Sequence, residues 1–146
     1  MTVQVQIQRL PHYFALPSYA HPGDAGMDLY AAVLEDQSID PEICVKIPTG
    51  IALGLPQGYM AFIQPRSGLA AKFSITVLNS PGLIDSCYRG EIQVLLINHG
   101  QNAFTVKRGD RIAQMVILPV PEIILHEVPD LETTIRQAGG FGSSGL

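Results

Sequence analysis

The sequence predicts an all-β domain of sandwich, jelly-roll or barrel type, and three observations carry that expectation. Glycine (14) and proline (11) are spread along all 146 residues, which leaves no room for long helices. Between these breakers lie short apolar runs rich in β-branched residues. Each run ends at Gly, Pro, Asn or Asp, at the spacing of successive strands and turns.

The elements follow in order. Val3, Val5 and Ile7 alternate with Gln4, Gln6 and Gln8, the two-residue period of a half-buried strand. Strands are expected at residues 43–47, 51–55 and 60–63. A short helix is expected over Ser67–Phe73, with Ser67 as its cap and Ala70 and Ala71 favouring helix. Further strands are expected at 75–78, 92–97, 104–106, 112–118 and 123–128. There is no internal repeat and no linker to a second domain. Residues 1–129 are expected to form the β core and residues 130–146 a mobile C-terminal arm.

Composition excludes several classes of function. Hydrophobic residues make up 47% and charged residues 15%, as in a packed domain. A net charge of −4, with no basic cluster beyond Lys107-Arg108, argues against a nucleic-acid polymer as partner. A small anion needs only a few local cations and stays open. No apolar run approaches the about 20 residues of a membrane span, and no basic segment followed by an apolar one marks secretion. The expectation is a cytoplasmic protein with no membrane partner. Cys44 and Cys87 lack metal-ligand spacing and read as reduced thiols. His12, His21, His99 and His126 are scattered and read as structural or surface residues.

Five polar islands interrupt the strands. The first, Ala25-Gly26-Met27-Asp28-Leu29, is a turn entering a strand, with Asp28 able to serve local N–H groups. The second, Pro65-Arg66-Ser67-Gly68, joins a guanidinium and a hydroxyl to the start of the helix, a combination suited to an anion. The third runs from Asn79 through Gly82, Leu83, Ile84, Asp85 and Tyr88 to Glu91. It reads either as an ordinary hairpin or as a rigid mount for Asp85 as general base toward a water. The fourth, residues 107–115, is a Gly109-Asp110 turn feeding Arg111 and Gln114 into a strand. The fifth is Arg136 with the tail Gly139-Gly140-Phe141-Gly142-Ser143-Ser144-Gly145-Leu146. The tail fits G-x-G-x-x-G, but a dinucleotide fingerprint must join a strand to a helix, and here no helix follows.

Together and in this order the islands resemble the five motifs of the trimeric dUTPases: A-G-x-D-L, P-R-S-G, G-x-[IV]-D-x-x-Y-x-G, G-[DE]-R-[IV]-A-Q and R-G-x-G-G-F-G-S-T-G. The resemblance runs from about residue 20 to the C-terminus. The first four motifs match without a gap. In the fifth, Gln137-Ala138 stand where Gly-x is usual, and Ser144 replaces Thr.

The resemblance implies a jelly-roll-like domain assembled as a homotrimer with sites at subunit interfaces. It implies hydrolysis of dUTP to dUMP and pyrophosphate with Mg²⁺, lowering dUTP and supplying dUMP for thymidylate synthesis. By position, Asp28 would hold the ion through water. Arg66, Ser67, Gly68, Gln114 and Arg136 would cradle the phosphates, and Asp85 would activate the attacking water. Asn79, Gly82, Leu83 and Ile84 would read uracil, Tyr88 would lie under the sugar, and Gln93 would reach the substrate from the next strand. Gly140, Phe141, Gly142, Ser143 and Ser144 would form a lid, with Phe141 stacked on the base. A dCTP deaminase of similar plan would need a further acid or base at the pyrimidine, and none pairs with the second island. A non-catalytic relative would have lost Asp85 or the glycine-rich tail, and both are present.

Overall fold

The chain is described here by a computed structural model covering residues 2–145; Met1 and Leu146, the outer ends of the expected core and arm, lie outside the described residues. In chain order the elements are β1 (Gln6–Arg9), β2 (Met27–Tyr30), β3 (Gln37–Ile39), β4 (Cys44–Gly54), β5 (Tyr59–Gln64), α1 (Ser67–Phe73), β6 (Ile75–Val77), β7 (Gly82–Ile84), β8 (Glu91–Asn98), β9 (Phe104–Val106) and β10 (Arg111–Pro119). One sheet has the order β1-β4-β8-β6, a second β2-β10-β5-β7, and β3 pairs with β9 in a small third sheet. Every pairing is antiparallel. The all-β, jelly-roll expectation is met.

Alternation explains why the sheets share one core. In β8, Ile92, Val94 and Leu96 are buried and the residues between them are more exposed, so the strand has one apolar face. Leu29 of β2, Ala61 and Ile63 of β5, and Ile112, Ala113 and Met115 of β10 join the same cluster. Each large aliphatic side chain there contributes roughly 1.5–3 kcal/mol by leaving water. Asn98 ends the buried row of β8. It is fully enclosed, donates to the Ile39 and Asn102 carbonyls (both 2.8 Å), and accepts from the Gly100 N–H (2.8 Å).

Several expectations are corrected. The runs at 43–47 and 51–55 belong to one strand, β4, whose register shifts between Pro48 and Ala52. Gly50 sits in that bulge at φ 69°, and a Cβ there would lie 2.4 Å from the Tyr13 Cα, so only glycine lets the N-terminal segment pack so closely. The first strand begins at Gln6, and Val5 packs on the core from outside it. Ser67 is the first helical residue instead of the cap. Arg66 occupies the cap position in extended conformation, with no side-chain bond. The run at 123–128 forms no strand: no neighbouring strand is there to accept its backbone bonds, and Ile124 and Leu125 are almost fully exposed.

The third island is not a hairpin. β7 pairs with β5 in one sheet, whereas β8 pairs with β4 and β6 in the other. The segment between them therefore crosses from sheet to sheet, and Asp85 lies in the crossing turn.

Candidate active site

Three islands meet at one end of the second sheet. Ala25, Gly26, Asp28, Arg66, Ser67, Gly68 and Gln114 line a single cleft of ≈ 280 Å³, together with Ala20 and Asp24. The register accounts for this: Asp28 of β2 lies opposite Gln114 of β10, which lies opposite Gln64 of β5, two residues before Arg66. Asp28 is within the strand, and its N–H donates to the Ser18 carbonyl at 2.8 Å. Its carboxylate is largely buried between two cations, Arg66 Nε at 2.9 Å and Arg111 Nη1 at 3.7 Å. The Gln114 amide donates to the Pro65 carbonyl at 3.0 Å, tying β10 to the entry of α1. A Cβ on Gly26 would stand 2.5 Å from Gln114 Oε1, so a larger residue would have to push that amide aside.

The Gly109-Asp110 turn of the fourth island is as expected. Gly109 takes φ 86°, and the Asp110 carboxylate accepts the Lys107 N–H at 2.8 Å. That turn launches β10 and so sets where Gln114 faces. Sequence reasoning left Arg111 out of the site, although it stands in the fourth motif and touches Asp28.

The third island lies elsewhere on the same chain. Leu83 and Asp85 line another cleft, of ≈ 820 Å³, with Gln57, Tyr59, Met60 and Val120. Ile84 is opposite Ala61, so Asp85 comes level with Met60, four residues along β5 from Gln64 and on the far edge of the sheet from Asp28. At about 3.3 Å per residue and 4.8 Å per strand, the two aspartates are roughly 20 Å apart within one chain. Asn79 and Gly82 are adjacent: a Cβ on Gly82 would lie 3.3 Å from the Asn79 amide nitrogen and equally close to Ile63. Tyr88 is partly exposed and donates its hydroxyl to the Glu91 carbonyl at 3.1 Å.

Glu91, absent from the sequence-derived site, joins this region to the rest of the domain. Its carboxylate meets His12 Nε2 at 2.6 Å and accepts the Gly50 N–H at 2.9 Å and the Gln93 amide at 3.2 Å. Partial burial pushes the Glu91 carboxyl up, but the hydrogen bonds from His12, Gly50 and Gln93, with the His12 charge, outweigh it and hold it below the usual value.

The fifth island stands apart from both clefts. Arg136 Nε donates to the Gly139 carbonyl of its own segment at 2.8 Å. Phe141 is fully exposed at φ 44°, Gly142 is at φ 94°, and Ser143 and Ser144 face solvent. Gln137, which stands where the motif has glycine, takes the left-handed backbone itself at φ 50°.

Among the described residues, no three Asp, Glu, His or Cys side chains gather closely enough to cage a metal ion. The acids of this first cleft are Asp24 and Asp28. That donor set suits a hard ion that keeps most of its waters and takes its remaining ligands from a phosphate chain. No helix of the described residues is long and apolar enough to cross a membrane, and Cys44 and Cys87 are free and exposed.

Comparison with known proteins gives a consistent picture. The family model described as dUTPase matches residues 12–145. A protein of Gloeobacter violaceus named deoxyuridine 5'-triphosphate nucleotidohydrolase is 66% identical over 143 residues, covering 98% of this chain and 97% of that one. A protein of the same name from Maricaulis maris is 54% identical, covering 99% and 97%. Among solved structures, the Staphylococcus bacteriophage 80alpha dUTPase with dUPNHPP matches at a TM-score of 0.90 and 26% identity, covering 99% of this chain and 100% of the other. A dUTPase of phage phi11 of S. aureus, described with a structural Mg(II) ion, matches in fold at a TM-score of 0.80 and 24% identity, covering 89% and 99%.

Proposed function

The chain belongs to the dUTPase family and is an enzyme that hydrolyses dUTP to dUMP; from that premise we propose that its active site is composite, built from more than one copy of the chain. The observation that carries this reading is the separation just derived. Arg66 and Gln114 line one cleft, while Asp85 sits roughly 20 Å away on the opposite sheet edge, too far to serve a phosphate held beside Arg66. A homotrimer resolves it, with one subunit giving the phosphate cleft and a neighbour giving the Asp85 turn. The arm after residue 129 would then leave the β core of residues 1–129 and reach an adjacent site, consistent with an apolar run at 123–128 that pairs with no strand among the described residues and leaves Ile124 and Leu125 exposed.

In this reading Arg66 and Gln114 bind the triphosphate oxygens, helped by the N–H groups of Ser67 and Gly68 and, on closure, by Arg136. Asp85 accepts a proton from a water whose oxygen attacks the α-phosphorus in line. The bond from that phosphorus to the bridging oxygen breaks, and pyrophosphate leaves. Mg²⁺, when bound, neutralises charge on the phosphates, and Asp28 is the residue to hold it through water. No covalent intermediate is required, because positioning and electrostatics supply the rate.

Backbone groups of Gly82, Leu83 and Ile84, with the Asn79 amide, offer donors and acceptors to the edge of uracil. Cytosine inverts that edge and leaves buried groups unpaired. Tyr88 under the sugar leaves no room for a ribose hydroxyl, and Gln93 is within reach from β8. Phe141 stacks on the base while Gly140, Gly142, Ser143 and Ser144 close over the phosphates. The cellular role that follows is removal of dUTP and supply of dUMP for thymidylate synthesis, in the cytoplasm, with no nucleic-acid polymer as partner.

The test is pyrophosphate release from dUTP, UTP, dTTP and dCTP by wild type, Asp85→Asn and a chain ending at residue 136. Wild type should favour dUTP strongly. The aspartate variant should bind substrate and turn it over far more slowly, and the truncation should keep the core but cripple turnover. Wild-type rates in Asp85→Asn would remove that residue from the role of base.

A further inference from the structure

Asp85 is an exposed residue of a turn between two sheets, and among the described residues no side chain or N–H group donates to its carboxylate. A general base held so loosely would lose most of its advantage, because misplacement by about 1 Å can cost on the order of a hundredfold in rate. Something other than burial must aim it.

The neighbouring Arg89 does this. Its side chain folds back, and one nitrogen, Nη1, donates to the Ser86 carbonyl at 2.6 Å and to the Tyr88 carbonyl at 2.8 Å. Between these acceptors the turn closes with the Tyr88 N–H on the Asp85 carbonyl at 3.1 Å. The arginine also lines a groove with Gln6, Gln8 and Leu53 of the first sheet. Charge-assisted bonds to two carbonyls two residues apart restrain the peptide planes that follow Asp85. A lysine ammonium also offers several donors from one nitrogen, but on a flexible stem and without the guanidinium's preorganised plane, so it should hold the turn less firmly.

We propose that Arg89 is a positioning residue of the hydrolytic reaction: it brackets the Ser86 and Tyr88 carbonyls and so aims the Asp85 carboxylate without touching substrate. This rests on the reading of Asp85 as general base, and the experiment separates the two. Arg89→Ala, Arg89→Lys, Asp85→Asn and the Arg89→Ala/Asp85→Asn double variant are assayed for kcat and KM with dUTP, with and without added guanidinium ion at concentrations far below denaturing. Arg89→Ala should lower kcat by roughly tenfold to a hundredfold with a much smaller change in KM. Guanidinium should restore part of that kcat, Arg89→Lys should fall between, and the double variant should show no rescue.

Wild-type kcat in Arg89→Ala beside an inactive Asp85→Asn overturns the positioning role and leaves the base intact. Wild-type kcat in Asp85→Asn overturns the base itself. A loss in Arg89→Ala that guanidinium does not restore, accompanied by a lowered melting temperature, makes Arg89 merely structural and also overturns the proposal.

Discussion

Replacing Asp28 by Asn tests the electrostatic design of the cleft that Asp28, Arg66 and Gln114 line. The carboxylate has only 12% of its side chain exposed and stands between Arg66 at 2.9 Å and Arg111 at 3.7 Å. Asn keeps an oxygen acceptor for Arg66 Nε but removes the charge, leaving two guanidinium groups facing a neutral amide. The Arg111 contact is long and that side chain is half exposed, so solvent screening discounts it. The Arg66 contact is the more buried, and weakening one charge-assisted bond there should cost about 1–2 kcal/mol. For a domain of this size that is a fall in melting temperature of roughly 2–8 °C. Asp28→Ala should fall further, because the Arg66 guanidinium then loses its acceptor. Scanning calorimetry of the two variants reads the pair, and turnover against Mg²⁺ concentration reads the proposed ion role, with a higher half-saturating Mg²⁺ expected in Asp28→Asn. A variant melting with wild type would refute the structural argument, and an unchanged Mg²⁺ requirement would refute the assignment of Asp28 to the ion.

Other perturbations probe different links. In Gly90→Ala the new Cβ would meet the Tyr88 hydroxyl at 2.3 Å, so the ring must move while the backbone holds; preference for dUTP over UTP should fall by roughly tenfold, as read by kcat/KM. Because the Glu91 carboxyl is held below its ordinary value, its contribution to stability is present above the unfolded value of about 4.3 and lost as pH falls through the lower folded value. Glu91→Gln should therefore be less stable than wild type at neutral pH, and the difference should vanish in melting curves taken toward pH 3. Asn98→Ala removes three hydrogen bonds from a fully buried position and should cost about 2–4 kcal/mol in denaturant unfolding.

Much of this was legible in the chain because the signals are local. The apolar runs of β8 and β10 mark them as strands, and Gly109-Asp110 makes its own turn. The motifs at Asp28, Arg66 and Gln114 point to polar sites on separate segments, and the register brings them into one cleft. What was not legible depends on distant partners. β7 is three residues with a glycine at its head, too short to show a period, and it exists because β5 offers an edge. Pro48 and Gly50 read as a break in the sequence but form a bulge inside one strand. The His12–Glu91 contact joins residues 79 positions apart, and no spacing rule finds such a pair. Residues 123–128 carry strand composition without a strand, because a strand is a property of two chain segments. Likewise, the motifs name Asp85 and Arg66 but cannot say whether one chain brings them together.

Subunit complementation tests the composite site most directly. Asp85→Asn and Arg66→Met chains, each inactive alone, are co-expressed in equal amounts with different tags, and mixed oligomers are purified and assayed for pyrophosphate release. If a site takes Arg66 from one subunit and Asp85 from another, every mixed trimer rebuilds one of its three sites, about one third. Recovery near a third of wild-type turnover is the expected result; mixed oligomers as inactive as their parents would contradict a site shared between chains.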